Sequence, residues 1–350
     1  MSTAPVSAMT GEQRFLAAAR REPVDATPVW FMRQAGRCLA DYRALRERYD
    51  ILTLAKTPEL SAQVTLMPIE AFGVDAAVMF ADIMLPLEPM GVELEIQPDV
   101  GPIIHNPIRS ADDVERLRVF DPAEGVGFVM DAIGIVAREL SGRQSVIGFS
   151  GAPFTLACYL IEGRPSRDYA RAKSFMFSEP EAWHRLMDRL SEVIISYLQA
   201  QVAAGAQVVQ LFDSWVGALA PADYMLYVQP HVRRIFAALT EVPTIHFGAG
   251  TAALLEMMAA AGGDVMSIDA HQSLDVAWAR LPDGRGVQGN LDATRVLAGW
   301  QQTEEGARDV LRRAAGRSGH IFNLGHGVLP DSDPETLRRL VDFVHQETTR

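Results

Sequence analysis

A chain of 350 residues with 48% hydrophobic and 22% charged residues can bury a large core, which excludes general disorder. Its 32 Lys+Arg stand against 44 Asp+Glu, for a formal net charge of −12, and that balance excludes broad binding to a nucleic-acid backbone while leaving room for an anionic small molecule held by a few arginines. Two cysteines, Cys38 and Cys158, can form neither a disulfide framework nor a four-thiolate metal site, which points to a reducing compartment.

The opening stretch MSTAPVSAMTGEQRFLAAARREP carries Glu12 and Glu22 and has no basic start followed by an apolar block. It resembles neither a secretory nor a mitochondrial address, so residues 1–13 read as a tail, 14–350 as one catalytic domain, and the cytoplasm as the expected location. Runs rich in β-branched and apolar residues follow at 28–33, 75–80, 145–150, 208–213, 242–248, 265–269, 286–290 and 320–325. They are apolar on both faces, the pattern of parallel strands covered by helices. The uncharged stretch 144–161 is broken by Gly148, Gly151 and Pro153, and reads as strand, turn and helix rather than a membrane span. Ser178 as N-cap and Pro180 in the first turn predict a helix carrying Trp183, Leu186, Met187, Leu190, Ile194, Tyr197 and Leu198 on one face, ended by Gly205. Thr251 is expected to cap 252–261, stopped by Gly262 and Gly263, and Asp333 with Pro334 opens a last helix.

Eight alternating βα units match a (β/α)8 TIM barrel. Residues 91–108 alternate like a β-hairpin inserted after the second unit. The alternative is an open doubly wound sheet, which wants a glycine-rich first βα turn, and the turn after Arg33 offers only Gly36.

Barrel chemistry sits at the carboxyl ends of the strands. Those ends hold Arg33 and Arg37, Asp82, Ser150 and Gly151 with Tyr159 in the next helix, then Asp213 and Ser214, His246, Asp269, Asn290 and His326. Caps and turns account better than catalysis for Asp213, Asp269 and Asn290, a structural imidazole accounts as well as a site role for His246, and a core aromatic can account for Tyr159. His184, His231 and His345 fall in helical segments and read as surface or packing residues. The two arginines flanking Gln34, Ala35 and Gly36 are harder to place that way, because neighbouring guanidiniums repel unless anions accompany them. No H-x-x-x-H, C-x-x-C or H-x-C spacing suggests a metal. The G-H-G at 325–327 and the G-A-G at 248–250 are too short for a dinucleotide fingerprint, and Asp331 and Asp333 would repel a phosphate. G-F-S-G-A at 148–152 is one residue out of register for a nucleophile elbow.

PVWFMRQAGR (28–37), MFADIMLP (79–86), GFSGAPFTLACYLIEG (148–163), LFDSW (211–215), HFG (246–248), QGNLD (288–292) and FNLGHGVLP (322–330) are similar, in the same order, to the uroporphyrinogen decarboxylase family. The resemblance runs from about residue 14 to the last. It implies a cofactor-free, metal-free (β/α)8 carboxy-lyase, usually a homodimer. Such an enzyme removes CO2 from the four acetate arms of uroporphyrinogen III, giving coproporphyrinogen III for haem or chlorophyll synthesis. The family's substrate contacts fall on Arg33, Gln34, Ala35, Gly36, Arg37, Asp82, Tyr159, Ser214 and His326, with Asp82, Arg37, Arg33 and Tyr159 as the catalytic group. Phe154 stands where tryptophan is usual, and Cys38 and Ala40 where an aromatic and a proline are common. These departures touch packing rather than charge.

Those residue types suit that chemistry. Protonating a pyrrole carbon creates an electron sink, and a fixed Asp82 carboxylate would stabilise the resulting cation. Arg33 and Arg37 can clasp carboxylates in bidentate fashion, and Tyr159, Ser214 and His326 can orient them. Arg37, or an acid of the substrate beside it, is a candidate proton donor, although a guanidinium with pKa above about 12 is a poor general acid. Two alternatives stay open. A cobalamin-linked methyltransferase of the same superfamily would bind zinc through histidine and cysteines, yet no cysteine follows residue 158. The other is a barrel that binds tetrapyrroles without turning them over.

Overall fold

The computed structural model describes residues 8–97 and 100–350, so 1–7 of the expected tail and 98–99 of the expected hairpin lie outside it. Gly11–Ala19 is already helical, closed by a capping box between Thr10 and Gln13, and thus begins inside the stretch read as tail.

Among the described residues nine strands form: β1 (Ala76–Val78), β2 (Leu94–Gln97), β3 (Gly101–Ile104), β4 (Ser145–Gly151), β5 (Val208–Asp213), β6 (Thr244–Gly248), β7 (Val265–Ser267), β8 (Gly286–Gln288) and β9 (His320–Ile321). Seven of them pair in parallel in the order β1-β4-β5-β6-β7-β8-β9, a curled sheet buried on both faces. Each strand lies beside its predecessor, without the order reversal that defines a doubly wound sheet. β2 and β3 pair antiparallel as a separate two-stranded sheet, with Leu94 opposite Ile104.

The segment expected as the first strand is reduced to one parallel bridge, Val29 with Phe322. Side chains take the amide groups that a ladder would use. The Val29 N–H goes to Asp75 Oδ2 at 2.7 Å, that of Phe31 to Gln34 Oε1 at 2.9 Å, and that of Met32 to Asn323 Oδ1 at 3.1 Å. Its remaining bonds reach both edges of the sheet: Phe322 N–H donates to Pro28 O at 2.8 Å, and Asp75 N–H to Val29 O at 2.8 Å. Inside the curl, Trp30 Nε1 donates to Gln288 Oε1 at 2.8 Å, and Gln288 Nε2 to Ser267 Oγ at 2.9 Å and Gln210 Oε1 at 3.2 Å.

The helix Pro180–Ala204 buries the apolar face expected of it, but it starts after Glu179. Ser178 instead closes the preceding helix Ala170–Ser178. Thr251 likewise opens a turn, and its helix is the shorter Leu255–Ala261. Asp333 caps Pro334–Thr348 as expected, accepting from Thr336 N–H at 3.0 Å.

At the amino-terminal end of the sheet, Asp75 joins three elements. It receives Arg14 Nη1 at 2.6 Å, the Val29 amide, and His345 Nε2 at 2.8 Å, while Arg14 also clasps Asp25 at 2.7 and 2.8 Å. His345 is therefore an anchor of the last helix rather than a bystander on it.

Candidate active site

The RQAGR turn begins at Arg33, whose backbone is left-handed with φ 59°. Gln34 folds underneath, fully buried, and its Nε2 donates to Ala76 O at 2.9 Å, tying the turn to β1. The structure therefore places the Gln34 side chain in the support of the loop and not in the mouth. Ala35 and Gly36 are half-buried, while Arg33 and Arg37 are exposed. Among the described residues neither guanidinium pairs with a carboxylate. Arg43 Nη1 pins the far end of the loop by donating to Arg37 O at 2.8 Å and Cys38 O at 3.1 Å. The Cys38 thiol, pushed up to about 11 by burial, stays protonated. Phe154 is fully buried, 6.0 Å ring to ring from Trp183, in the helical layer.

Asp82 lies four residues past β1. The helix Pro58–Phe72 fixes its approach: Ser61 Oγ donates to Phe80 O at 2.7 Å, and Phe80 N–H to Thr65 Oγ1 at 2.8 Å. Its own Oδ1 accepts from Met84 N–H at 2.8 Å. Burial raises its pKa above the ordinary carboxylate value, while the Met84 N–H and the charge of Arg33 pull it back. Tyr159, on the helix Pro153–Glu162, shares that neighbourhood. Burial chiefly, and then the Asp82 charge, raise its hydroxyl, and Arg33 opposes them. The Tyr159 ring lies 4.0 Å from that of Trp215, and Trp215 lies 4.8 Å from Tyr169.

His326 is exposed, and its imidazole is lowered by partial desolvation and the Arg33 charge, with Asp269 opposing. Gly327 beside it packs directly on the Arg33 side chain. Ser214 is half-buried. Its predecessor Asp213 is buried and faces the helical layer, where Thr155 Oγ1 donates to Asp213 Oδ1 at 2.9 Å and accepts from Trp215 N–H at 3.3 Å. Arg33 thus shares one electrostatic neighbourhood with Asp82, Tyr159 and His326, and Arg37 lies on the same turn as Arg33.

Three strand-end residues are engaged in structural contacts. His246 faces Phe236 in the helical layer, ring centroids 4.9 Å apart, with its nitrogens towards the Met258 and Gly262 backbone and no hydrogen bond of good geometry. Burial pushes it down to about 4, so it is neutral at pH 7. Asp269 accepts from Gly250 and His271 N–H groups, and the Asn290 amide donates to Asp269 O and Gln272 O; both stitch loops together.

Sequence reasoning passed over the residues that alternate with these. Phe149, Phe212 and Phe247 pack edge to face at 5.4 and 5.7 Å, on the side of the sheet opposite Asp213 and His246. The period-two pattern carries that signal, since each phenylalanine is the immediate neighbour of a strand-end residue that was singled out: Phe149 precedes Ser150, Phe212 precedes Asp213, and Phe247 follows His246. Trp215, Tyr169 and Gly327 were missed as well. Among the described residues no cluster of three His, Cys, Asp or Glu side chains could hold a metal, and no helix is long and apolar enough to cross a membrane.

A curled parallel sheet whose strand-end loops carry a carboxylate, a phenol, an imidazole and guanidiniums that, among the described residues, pair with no carboxylate, has the build of an α/β enzyme. The chain belongs to the uroporphyrinogen decarboxylase family, whose model, described as "Uroporphyrinogen decarboxylase (URO-D)", matches residues 10–347. A uroporphyrinogen decarboxylase of Sorangium cellulosum is 55% identical over 334 residues, covering 95% of each chain. That of Roseiflexus sp. is 52% identical over 340 residues, 95% of this chain and 98% of the relative. The solved structure of a methyltransferase from Methanosarcina mazei has TM-score 0.83 at 20% identity, covering 97% of this chain and 99% of that one, a likeness of fold alone.

Proposed function

We propose that the protein decarboxylates the four acetate arms of uroporphyrinogen III to give coproporphyrinogen III. The observation that carries this is membership of the uroporphyrinogen decarboxylase family over nearly the whole chain, and the charges of Asp82 and Arg33 beside Tyr159 suit it. Arg33 and Arg37 hold carboxylate arms. A proton adds to the pyrrole carbon next to the one that bears the acetate, and the ring becomes a cation facing Asp82. The bond from the methylene to the carboxylate carbon then breaks, its electrons neutralise the ring, and CO2 leaves. Protonation of the exocyclic methylene and loss of the ring proton leave a methyl group, so each arm consumes one proton net. Tyr159 remains a hydrogen-bond donor throughout, because burial and Asp82 keep its proton on. Ser214 and His326 orient the remaining arms, and the proton enters from Arg37 or from a substrate acid beside it.

The same reading treats the segment 28–30 as the eighth strand of a closed (β/α)8 barrel, supported by its bonds to Phe322 and Asp75. It treats β2 and β3 as an insertion after the second unit, residues 14–350 as one catalytic domain, the assembly as a homodimer and the location as the cytoplasm. Neither cofactor nor metal enters the scheme. Purified protein incubated anaerobically with uroporphyrinogen III should release CO2 and form coproporphyrinogen III at the same rate with and without chelator. A rate abolished by chelator and restored by zinc would overturn the metal-free scheme, and no turnover under any condition would leave only a binding barrel.

A further inference from the structure

The sequence from Gly163 to Lys173, GRPSRDYARAK, holds Arg164, Arg167, Arg171 and Lys173 against the single acid Asp168, in a chain whose net charge is −12. The segment leaves the helix that carries Tyr159 through Gly163, whose left-handed φ of 79° turns the chain. It carries Tyr169, whose ring lies tilted against Trp215 at 4.8 Å, and Trp215 lies tilted against Tyr159 at 4.0 Å. The basic stretch is therefore one aromatic layer from the proposed catalytic group. It is also held against the two-stranded sheet, since Ile104 N–H donates to Gly163 O at 2.8 Å. Arg109 donates to Ile108 O at 2.8 Å and to Ile161 O, and it lies close enough to Arg171 for the two charges to oppose each other.

Elsewhere on the surface arginines find carboxylates: Arg280 with Glu256, Arg308 with Glu347, Arg313 with Asp309, Arg338 with Glu335. Arg164, Arg167 and Arg171 are exposed, and among the described residues none of the three makes an ion pair or a side-chain hydrogen bond. Asp168 lies among them and Glu162 Oε1 accepts from Ala172 N–H at 3.1 Å, but Arg164, Arg167, Arg171 and Lys173 outnumber these acids, and the excess forms a local positive field, which in an acidic protein directs anions to one place. Uroporphyrinogen carries a carboxylate on every acetate and propionate arm, more than Arg33, Arg37, Ser214 and His326 can all engage at once, so the outermost arms are free to meet cations outside the mouth.

We propose that Arg164, Arg167 and Arg171 form an outer rim that captures the carboxylate arms pointing away from Asp82, and so favours the more highly carboxylated tetrapyrroles. This rests on the decarboxylase reading above. Charge carries the effect, so geometry matters less here than at Arg37.

The test compares the parent with two triple variants, Gln at all three positions and Lys at all three. Steered association gains tenfold or more in rate and fades with salt. The Gln variant should lose about tenfold in kcat/KM for uroporphyrinogen at low ionic strength, with kcat changed less than twofold, and should converge on the parent at high salt. The Lys variant should retain most of the parent's kcat/KM. Binding of oxidised uroporphyrin, followed by its fluorescence, gives a second readout that needs no turnover: its Kd should rise about tenfold in the Gln variant at low salt only. Parent-like kcat/KM, Kd and salt slope in the Gln variant would overturn the rim. A parent that binds uroporphyrin with this salt dependence but never decarboxylates would instead overturn the decarboxylase reading.

Discussion

Gly327 lays its bare Cα against the side chain of Arg33: a Cβ at that position would come within 2.6 Å of Arg33 Cδ and 2.8 Å of Cγ. The contact is reinforced one residue on, where Val328 N–H donates to Met32 O at 2.8 Å. The last strand-end loop thus sets the direction of an arginine nearly three hundred residues earlier in the chain. Gly327→Ala needs no unusual backbone, so its effect falls on Arg33 rather than on folding. Misplacing a charge-assisted bond costs about 1.5–3 kcal/mol, and kcat/KM should fall roughly ten- to hundredfold with little change in Tm. Repeating the change in an Arg33→Ala background should cost much less, because the displaced group is already gone. Additive losses in the double variant would show that the glycine matters for another reason.

Arg37→Lys keeps the charge and loses the fork. A point ammonium cannot reproduce bidentate geometry, so kcat/KM should again drop roughly ten- to hundredfold. Steady-state kinetics within a few-fold of the parent would remove Arg37 from direct contact with substrate.

Much of this architecture is legible in the sequence. Apolar runs mark the strand positions, and burial on both faces of β4, β6, β7 and β8 bears out the parallel reading. What a strand end does is harder to read. Asp213 and His246 point into the helical layer because strand alternation sends them there, and Phe212 and Phe247 take the other side. The first strand fails as a ladder because Asp75, Gln34 and Asn323 capture its amides, and two of those partners lie far away in the chain. No local pattern announces such a bond. The Ser61 and Thr65 clamp on Phe80, and the Gly327 contact with Arg33, are of the same kind.

Arg14 holds two carboxylates at the end of the sheet remote from the mouth. Its side chain is 15% exposed and that of Asp75 only 3%. Arg14→Met would leave Asp75 and Asp25 buried without their cation, and breaking a buried pair from one side costs about 3–5 kcal/mol. Urea unfolding should show that loss, while kcat per folded molecule stays close to the parent. A drop in kcat with unaltered stability would contradict a purely structural role.

Asp213 leaves Oδ2 buried without a hydrogen-bond partner, and burial pushes its pKa up to about 7. The folded value lies above the ordinary 3.8, so the unfolded chain gives up this proton first as pH rises. Stability from the neutral form is full below about pH 4 and is lost progressively up to about pH 7. Asp213→Asn removes the titration while keeping an oxygen for Thr155. The parent's Tm should fall by several degrees between pH 5 and pH 8, and the variant's pH slope should be shallower across the same interval. Identical slopes would mean that Asp213 is ionised in the folded protein at both pH values.

Asp82 has two roles that one substitution can separate. As a turn residue it accepts the Met84 N–H through Oδ1, a bond the amide oxygen of Asn preserves. As an electrostatic group it sits beside Arg33 and Tyr159, where burial has already made its charge costly to hold. A carboxylate kept in such a place stabilises a neighbouring cation more than it would in water, because less solvent screens the pair. Asn retains the shape and the turn but offers no negative charge to a protonated pyrrole. Preorganised groups of this type are worth about 2.7–4 kcal/mol, so Asp82→Asn should lower kcat roughly 10²–10³-fold. KM should change less, since the arginines that hold the carboxylate arms are untouched. Tm should stay level or rise slightly, because the substitution removes a desolvated charge and keeps its hydrogen bond. Asp82→Ala loses both roles and should cost stability as well as rate. Measuring kcat and Tm on both variants distinguishes the cases: an Asn variant with an unchanged melt and a kcat within a few-fold of the parent would reduce Asp82 to a turn residue.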